Sequence, residues 1–194
     1  VTMGYAKGGK ASTKNRSIEF NAKDGTISAT GQIRGSASRL DIAEYFENLT
    51  SGAIPLGTIV SLEGDKIRPA RADDHILGVI SATASIISGA QDFYWQGRYL
   101  TGEFGEPLFD AAGERIENPD YDPERDYIPR SQRPDAWSSV GLVGQLHTRV
   151  ASELAVGDYV RGDGRRSGVP SRLRVMKLQP TKLQNQAIAI CLLV

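Results

Sequence analysis

Short apolar runs, each closed by a glycine-containing turn, recur along most of this sequence. The segments "TIVSLEGDKIRPA", "HILGVISAT" and "VGDYVRGDGRRSGVPSRLRVMKL" have this form, and "NQAIAICLLV" is an almost wholly apolar run. Such spacing is typical of all-β sandwiches and barrels, and a run without polar alternation indicates a central strand. The sequence therefore predicts a mainly β fold, either barrel-like or sandwich-like.

A separate strand pair is predicted ahead of this domain, in "RSIEFNAKDGTISATGQI". Apolar residues alternate on both sides of Asp24-Gly25, a dipeptide that favours a two-residue hairpin turn because glycine tolerates a positive φ. Such a turn would pair Phe20 with Ala29. Because an isolated hairpin is only marginally stable in water, its apolar face needs cover from the following domain or from other copies of the chain.

A proline-rich region interrupts the strand pattern. Five of the nine prolines fall within residues 107–134, and long loops inside a domain tend to be functional or disordered. The tyrosines of this region and Trp137 favour an ordered arm that lies over a surface.

One short segment, "SASRLDIAEYFENL", has a helical period instead. Its apolar residues recur at i, i+3, i+4 and i+7, and they are Ile42, Tyr45, Phe46 and Leu49. Asp41 takes the N-cap position and Glu44 the N3 position of a capping box. The sequence therefore predicts one short helix with two carboxylates in its first turn.

Two interpretations of Asp41 and Glu44 remain open on these residues alone. They cap a helix and do nothing more, or they form an acid–base pair. Two neighbouring carboxylates disfavour each other's ionisation, and one protonated acid beside one ionised base suits cleavage of an amide. The chain entering the helix would lie within reach, so this chemistry would be self-cleavage.

Composition excludes several other classes of function. The 23 basic and 23 acidic residues balance, which argues against a general nucleic-acid binder or a binder of anionic membranes, and no apolar run approaches the length of a membrane span. His75, His147 and the single Cys191 show no metal-ligand spacing. We expect no metal, no cofactor and no internal disulfide, with Cys191 a buried apolar residue. The first residue is Val1 and no signal peptide follows, so we expect a fragment of a larger protein.

Several collinear motifs resemble one known family. "DIAEYFE" is similar to its D-x-A-E-x-F-E entry motif, and the similarity continues through "LEGDKIRPA", "DDHILGVIS", "WQGRYLTGEFGEPL", "NPDYDPERDYIPR" and "VGLVGQL" to the last apolar run. The family is the autoproteolytic intramolecular chaperone domain found at the C-terminus of phage tailspikes, neck appendages and tail fibres. The resemblance covers about residues 41–194, while residues 1–40 resemble the end of a fibre stalk.

The resemblance implies a function as well as a fold. Members form homotrimers, fold the β-rich segment before them and then release themselves. Carried onto this chain, the cut falls between Leu40 and Asp41, with Asp41 and Glu44 as the acid–base pair. Members often have a serine before this aspartate where this chain has Leu40, so a cut displaced to Ser38 and Arg39 is the alternative.

The same resemblance implies a place and partners for the chain. We expect a virion component that assembles in the bacterial cytoplasm, with its upstream segment and two further copies of itself as partners. Two alternatives are a trimerisation module that never cleaves and a receptor-binding tip. The tip would present a sugar-binding surface of aromatic residues: Trp95, Tyr99, Tyr121 and Tyr127.

Overall fold

The chain divides into two compact units, Val1–Ser38 and Arg39–Val194. The computed structural model describes residues 2–3, 18–21, 26–29, 41–92, 97–183 and 186–194. Nearly all regular structure in these ranges is β-strand, which confirms the mainly β prediction. A single 3-10 turn, Arg130–Gln132, is the only helical element of the described residues. These parts of the chain contain no helix long and apolar enough to cross a membrane.

The first unit contains the predicted hairpin, in a different register. Strands β1 (Thr2–Met3), β2 (Ile18–Asn21) and β3 (Thr26–Ala29) form an antiparallel sheet in that order. Phe20 pairs with Ile27, whereas the two-residue turn predicted a pair with Ala29, so that prediction is wrong by two residues. An even shift leaves every side chain on the same face, so the apolar pattern could not distinguish the two registers. The Asp24-Gly25 turn itself lies outside the described residues.

The second unit is one curled, half-barrel sheet. Its described strands are β4 (Asp41–Glu47), β5 (Ile59–Glu63), β6 (Lys66–Pro69), β7 (Gly78–Ile80), β8 (Ile86–Ser88), β9 (Trp137–Ala151), β10 (Tyr159–Val160), β11 (Leu173–Leu183) and β12 (Gln186–Leu193). The main path runs β10-β11-β12-β9-β7-β5-β6. Strand β4 pairs with both β8 and β9 away from this path.

Strand β9 organises the sheet because its two halves pair with different neighbours. Its first half, from Trp137 to Gly144, pairs with β4, and its second half, from Gly144 to Ala151, pairs with β12. Strand β7 also pairs with the first half, at Val140 and Gly141. As predicted, the apolar run of β12 is internal, with β11 on one side and β9 on the other.

Two apolar clusters fill the interior of the second unit. The larger comes mainly from β9, β11 and β12 and includes Leu146, Val150, Leu173, Val175, Cys191 and Leu193. The smaller comprises Val60, Ile67, Ile80 and Val140. Cys191 is fully buried, as predicted, and burial raises the pKa of its thiol to about 11. It is therefore a protonated core residue at neutral pH.

The predicted helix at Asp41 is wrong, because Asp41–Glu47 is strand β4. Burial alternates along its first four residues, with Asp41 and Ala43 inside and Ile42 and Glu44 outside. A helix this short is marginal in water, whereas a strand here gains hydrogen-bonded neighbours on both sides. Tertiary pairing therefore overrides the local helical period.

The proline-rich arm contains short paired segments and turns. Isolated bridges join Tyr99 to Glu117, Thr101 to Pro107 and Phe109 to Arg115. At the other end of the arm, the guanidinium of Arg130 lies 3.8 Å from the ring centre of Trp137, the first residue of β9. The C-terminal end of the arm is thus attached to the sheet.

Candidate functional site

Asp41 is the first residue of strand β4 and pairs in register with Gly144 of β9. The side chain of Asp41 turns inward and is only 1% exposed. Gly144 has a φ of +116°, a conformation that other residues rarely adopt. The first residue of the predicted processing motif is therefore a buried carboxylate, paired with a position on β9 that requires glycine.

The Asp41 carboxylate has a specific hydrogen-bond donor. The Ser81 hydroxyl donates to Asp41 Oδ2 at 2.5 Å, and the backbone N–H of Ser85 donates to the Asp41 carbonyl at 2.9 Å. Asp41 Oδ1 is buried and receives no hydrogen bond in the described parts of the chain. One carboxylate oxygen is thus fixed and the other is open to a further group.

Ser81 is itself held in place by the backbone. Its N–H donates to the Ser139 carbonyl on β9 at 2.9 Å, and its hydroxyl accepts from the N–H of Thr83 at 3.2 Å. Ser81 is the last residue of the motif "DDHILGVIS", but the sequence alone did not predict a role for it. No sequence pattern marks this serine, because its hydrogen-bond partner is a carboxylate 40 residues earlier in the chain that only the fold brings close.

Replacing Ser81 with alanine is expected to destabilise the second unit by roughly 2 kcal/mol, because a buried carboxylate would lose its donor. Urea unfolding of Ser81→Ala and Ser81→Thr measures this, with both placed in a Glu44→Gln background that prevents scission during the experiment. Ser81→Thr keeps the hydroxyl and should recover most of the loss. Equal stability of the alanine and threonine variants would contradict a role for the hydroxyl.

Glu44 lies on the opposite face of β4. In register it is next to Ser88 of β8 and Val140 of β9, and its side chain is exposed. Within the described ranges we find no hydrogen bond or ion pair to its carboxylate. Glu47, on the same strand, is different because Lys66 donates to it at 2.6 Å.

The structure therefore does not bring Asp41 and Glu44 together within one chain. Residues three apart in a strand are separated by about 10 Å and point to opposite faces. The close pair predicted from the capping box depended on a helix, and that geometry is wrong. The catalytic assignment of the two residues stays a prediction. Leu40, Arg39 and Ser38 lie outside the described residues.

A cavity of about 250 Å³ adjoins this region. Ser81 lines it together with Thr83, His147 and Arg149. Leu56, Ile80 and Ile188 also line it, so its polar side chains could hold water on one part of a largely apolar wall.

The receptor-binding alternative stays a prediction, and two of its aromatic residues, Tyr121 and Tyr127, line one cavity of about 530 Å³. Tyr99, Tyr121 and Tyr127 are all half-buried. The guanidinium of Arg115 lies 4.5 Å from the ring centre of Tyr99, and the Tyr127 hydroxyl donates to the Gln91 carbonyl. Trp95 lies outside the described residues.

The fold is similar to two solved structures of a bacteriophage phi29 protein. The chain is similar to the pre-mature bacteriophage phi29 gene product 12, with a TM-score of 0.82 and 34% identity over 93% of this chain and 25% of that one. It is also similar to the C-terminal fragment of phi29 gene product 12, with a TM-score of 0.66 and 36% identity over 79% of this chain and all of the fragment.

The chain belongs to the Peptidase_G2 family, the IMC autoproteolytic cleavage domain, whose family model matches residues 1–194. The resemblance seen in the sequence motifs is thereby confirmed. An intramolecular chaperone and autoproteolytic role in general follows from this membership.

Longer phage-related proteins carry similar sequence. The chain is 45% identical to the phage-related protein YobO of Bacillus subtilis (strain 168) over 70% of this chain and 18% of that protein. It is 37% identical to the pre-neck appendage protein of Bacillus phage B103 over 82% of this chain and 19% of that protein. The chain thus spans about a fifth of the length of these relatives.

Proposed function

We propose that residues 41–194 trimerise and fold the appendage segment that precedes them, and that they release themselves by cutting the Leu40–Asp41 bond. The stalk segment would then end at residue 40. Asp41 and Glu44 act as the acid–base pair of this reaction. Each chain performs the reaction once, because its substrate is its own backbone.

The buried carboxylate of Asp41 is the observation that carries this proposal. A carboxylate that is 1% exposed, with one oxygen on Ser81 and one unpartnered among the described residues, costs stability unless another group meets it. Asp41 is also the residue that directly follows the proposed scissile bond. A buried polar atom without a hydrogen-bond partner is rare in folded proteins, and a catalytic role is one explanation for it.

The reaction is hydrolysis of an amide. Water adds to the carbonyl carbon of Leu40, one carboxylate accepts a proton from it, and the other carboxyl group gives a proton to the Asp41 nitrogen as the C–N bond breaks. Leu40 gains a carboxylate and Asp41 a free amine. The cavity lined by Ser81, whose hydroxyl donates to Asp41, supports this route because it has room for water on the far side of that serine.

Physical considerations favour coupling this cut to assembly. Intertwined β-structure depends on pairing between distant segments. The entropy cost of closing the loops between them comes before the stabilising contacts form, so folding is slow. A domain that joins three chains raises the local concentration of the segments that must pair. Removal of that domain then leaves the folded appendage without its template and makes it kinetically stable. Relatives that are phage pre-neck appendage proteins support a virion component as the product, and we propose that it assembles in the host cytoplasm.

Intact-mass measurement of the freshly purified chain over time tests the proposal. We expect fragments 1–40 and 41–194 to appear together, and size-exclusion chromatography with light scattering to give three copies. A pair of masses that places the cut at Ser38–Arg39 would move the bond but keep the activity. If the chain formed a trimer but stayed intact through prolonged incubation, the self-cleavage part of the proposal would be wrong and only trimerisation would remain.

A further inference from the structure

The proline-rich arm carries an aromatic side chain that its own chain leaves in water. Phe104 is 95% exposed, more than any other large apolar residue in the part of the chain that the structure describes. Its turn is ordered, because the Gly102 N–H donates to the Glu106 carbonyl at 2.8 Å and the Phe104 N–H donates to Glu106 Oε2 at 3.0 Å. Aromatic rings dominate the energetics of protein interfaces, so a ring that an ordered turn presents to solvent is a candidate contact for a partner.

The turn is attached to a closed ring of backbone hydrogen bonds. Three residues spaced eight apart form it, since the Leu108 N–H donates to the Leu100 carbonyl at 3.4 Å and the Ile116 N–H to the Leu108 carbonyl at 3.1 Å. The Leu100 N–H closes the ring on the Ile116 carbonyl at 2.9 Å. The Phe104 turn connects Leu100 to Leu108, so this base holds it in one position. A partner would therefore bind a preorganised group, at a small cost in conformational entropy.

The cavity of about 250 Å³ that Ser81 lines has the composition to receive an aromatic ring. It lies at the end of β7 and beside β9 and β12. Its apolar lining comes from Leu56, Ile80, Ala82 and Ile188. One benzyl group fills only part of this volume, so water beside Ser81 can remain.

The turn and the cavity carry opposite charges. Glu103 and Glu106 flank Phe104, and neither carboxylate forms an ion pair within the described ranges. The described residues that line the cavity include Arg149 and His147 but no carboxylate. Among these residues Arg149 donates only through Nε, at 2.7 Å to a backbone carbonyl, so its two terminal nitrogens can bind an acidic partner.

We propose that Phe104 of one copy inserts into this cavity of a neighbouring copy, where the two flanking glutamates meet Arg149. This inference rests on the proposed function, which requires three copies, and adds the surfaces through which they join. The occupant is another copy of this chain because every copy presents an acidic turn with an aromatic ring and a basic cavity with an apolar lining, which are complementary in charge. Each copy gives one turn and receives another, and a threefold axis closes such heterologous contacts into a ring.

Cross-linking between two chains tests the contact. One chain carries Phe104→Cys and the other carries Leu56→Cys, with a different affinity tag on each, and both carry Glu44→Gln so that they stay whole. After co-expression and treatment with a short bismaleimide, we expect a covalent pair that contains both tags. The native Cys191 is buried and protonated, so it should not react. Val169→Cys in place of Phe104→Cys is the matched control, since Val169 is 68% exposed but lies on a different part of the unit, and it should give no such pair.

The strength of assembly gives an independent measurement. Phe104→Ala should weaken association of the chains at least about 10-fold, because each contact loses a buried aromatic ring, and light scattering over a range of concentrations measures this. Phe109→Ala is the matched control, since Phe109 is 55% exposed on the same arm, and it should assemble like the wild type. Arg149→Glu should also weaken assembly, and Glu103→Arg in the same chain should restore part of it, which distinguishes a lost contact from a lost fold.

The failure of this inference and the failure of the proposed function give different results. If wild-type chains form trimers, but Phe104→Ala assembles as tightly and the cross-link is absent, the inference is wrong and trimerisation stands. If Phe104→Cys reacts with a maleimide as fast in the trimer as an unprotected cysteine does, the turn is left for a partner other than this chain, and the inference is again wrong. A wild-type chain that never assembles would overturn the proposed trimerisation, and this contact with it.

Discussion

A Glu44→Gln chain is expected to fold normally and to cut itself at least 100-fold more slowly than the wild type. The glutamine side chain matches glutamate in size, but it can neither accept nor give a proton in the reaction. General acid–base groups contribute roughly 10²- to 10⁴-fold to rate. Glu44 is exposed and has no hydrogen bond or ion pair in the described ranges, so its loss should leave stability unchanged within about 0.5 kcal/mol. Intact-mass time courses give the rate, and thermal unfolding gives the stability.

Glu47→Gln is the matched control for this variant. Glu47 lies on the same strand, but its carboxylate accepts a hydrogen bond from Lys66 in a half-exposed ion pair. Such pairs contribute at most about 1 kcal/mol. We expect this variant to cut at the wild-type rate. If Glu44→Gln also cut at that rate, the assignment of Glu44 would have to be abandoned even though scission itself persisted.

The sequence motif at Asp41 was recognisable but its local conformation was not, and the catalytic assignment of Asp41 and Glu44 stays a prediction. The motif "DIAEYFE" drew attention to Asp41 because a family resemblance depends only on the order of residues, which the sequence gives directly. The local conformation was wrong because Ile42, Tyr45 and Phe46 fit a helical period over too few residues to exclude a strand. The partners that decide the matter, on β8 and β9, are about 45 to 100 residues away.

Contacts between residues that are distant in sequence also explain the other differences between the predicted and the observed structure. The alternation around Asp24-Gly25 fixed which side chains share a face but not which of two registers the hairpin takes. The role of Ser81 could not be predicted, because a hydroxyl becomes a specific donor only when the fold sets a carboxylate 2.5 Å from it. In contrast, the central position of β12 was predictable, since a continuous apolar run leaves no polar face for solvent.

A Gly78→Ala chain is expected to lose roughly 3 kcal/mol of stability or more, which corresponds to a fall of about 6–12 °C in Tm. A Cβ atom at Gly78 would lie 2.3 Å from the Gly141 carbonyl oxygen and 2.6 Å from Val140 Cγ1. The oxygen belongs to the backbone of β9 and cannot rotate away, so β7 and β9 must separate. Thermal unfolding followed by circular dichroism measures the loss.

The effect should extend to the candidate site, because Ser81 follows β7 directly and depends on the close approach of β7 to β9 for its position against Asp41. We therefore expect Gly78→Ala to slow scission even at temperatures where the chain is folded. Gly168→Ala is the matched control, since a Cβ there meets no atom within 4 Å and the substitution should leave Tm and scission near wild-type values. If Gly78→Ala unfolded at the wild-type temperature, the predicted clash between its Cβ atom and the backbone of β9 would be wrong. If it lost stability but cut at the wild-type rate, the position of Ser81 would not limit the reaction.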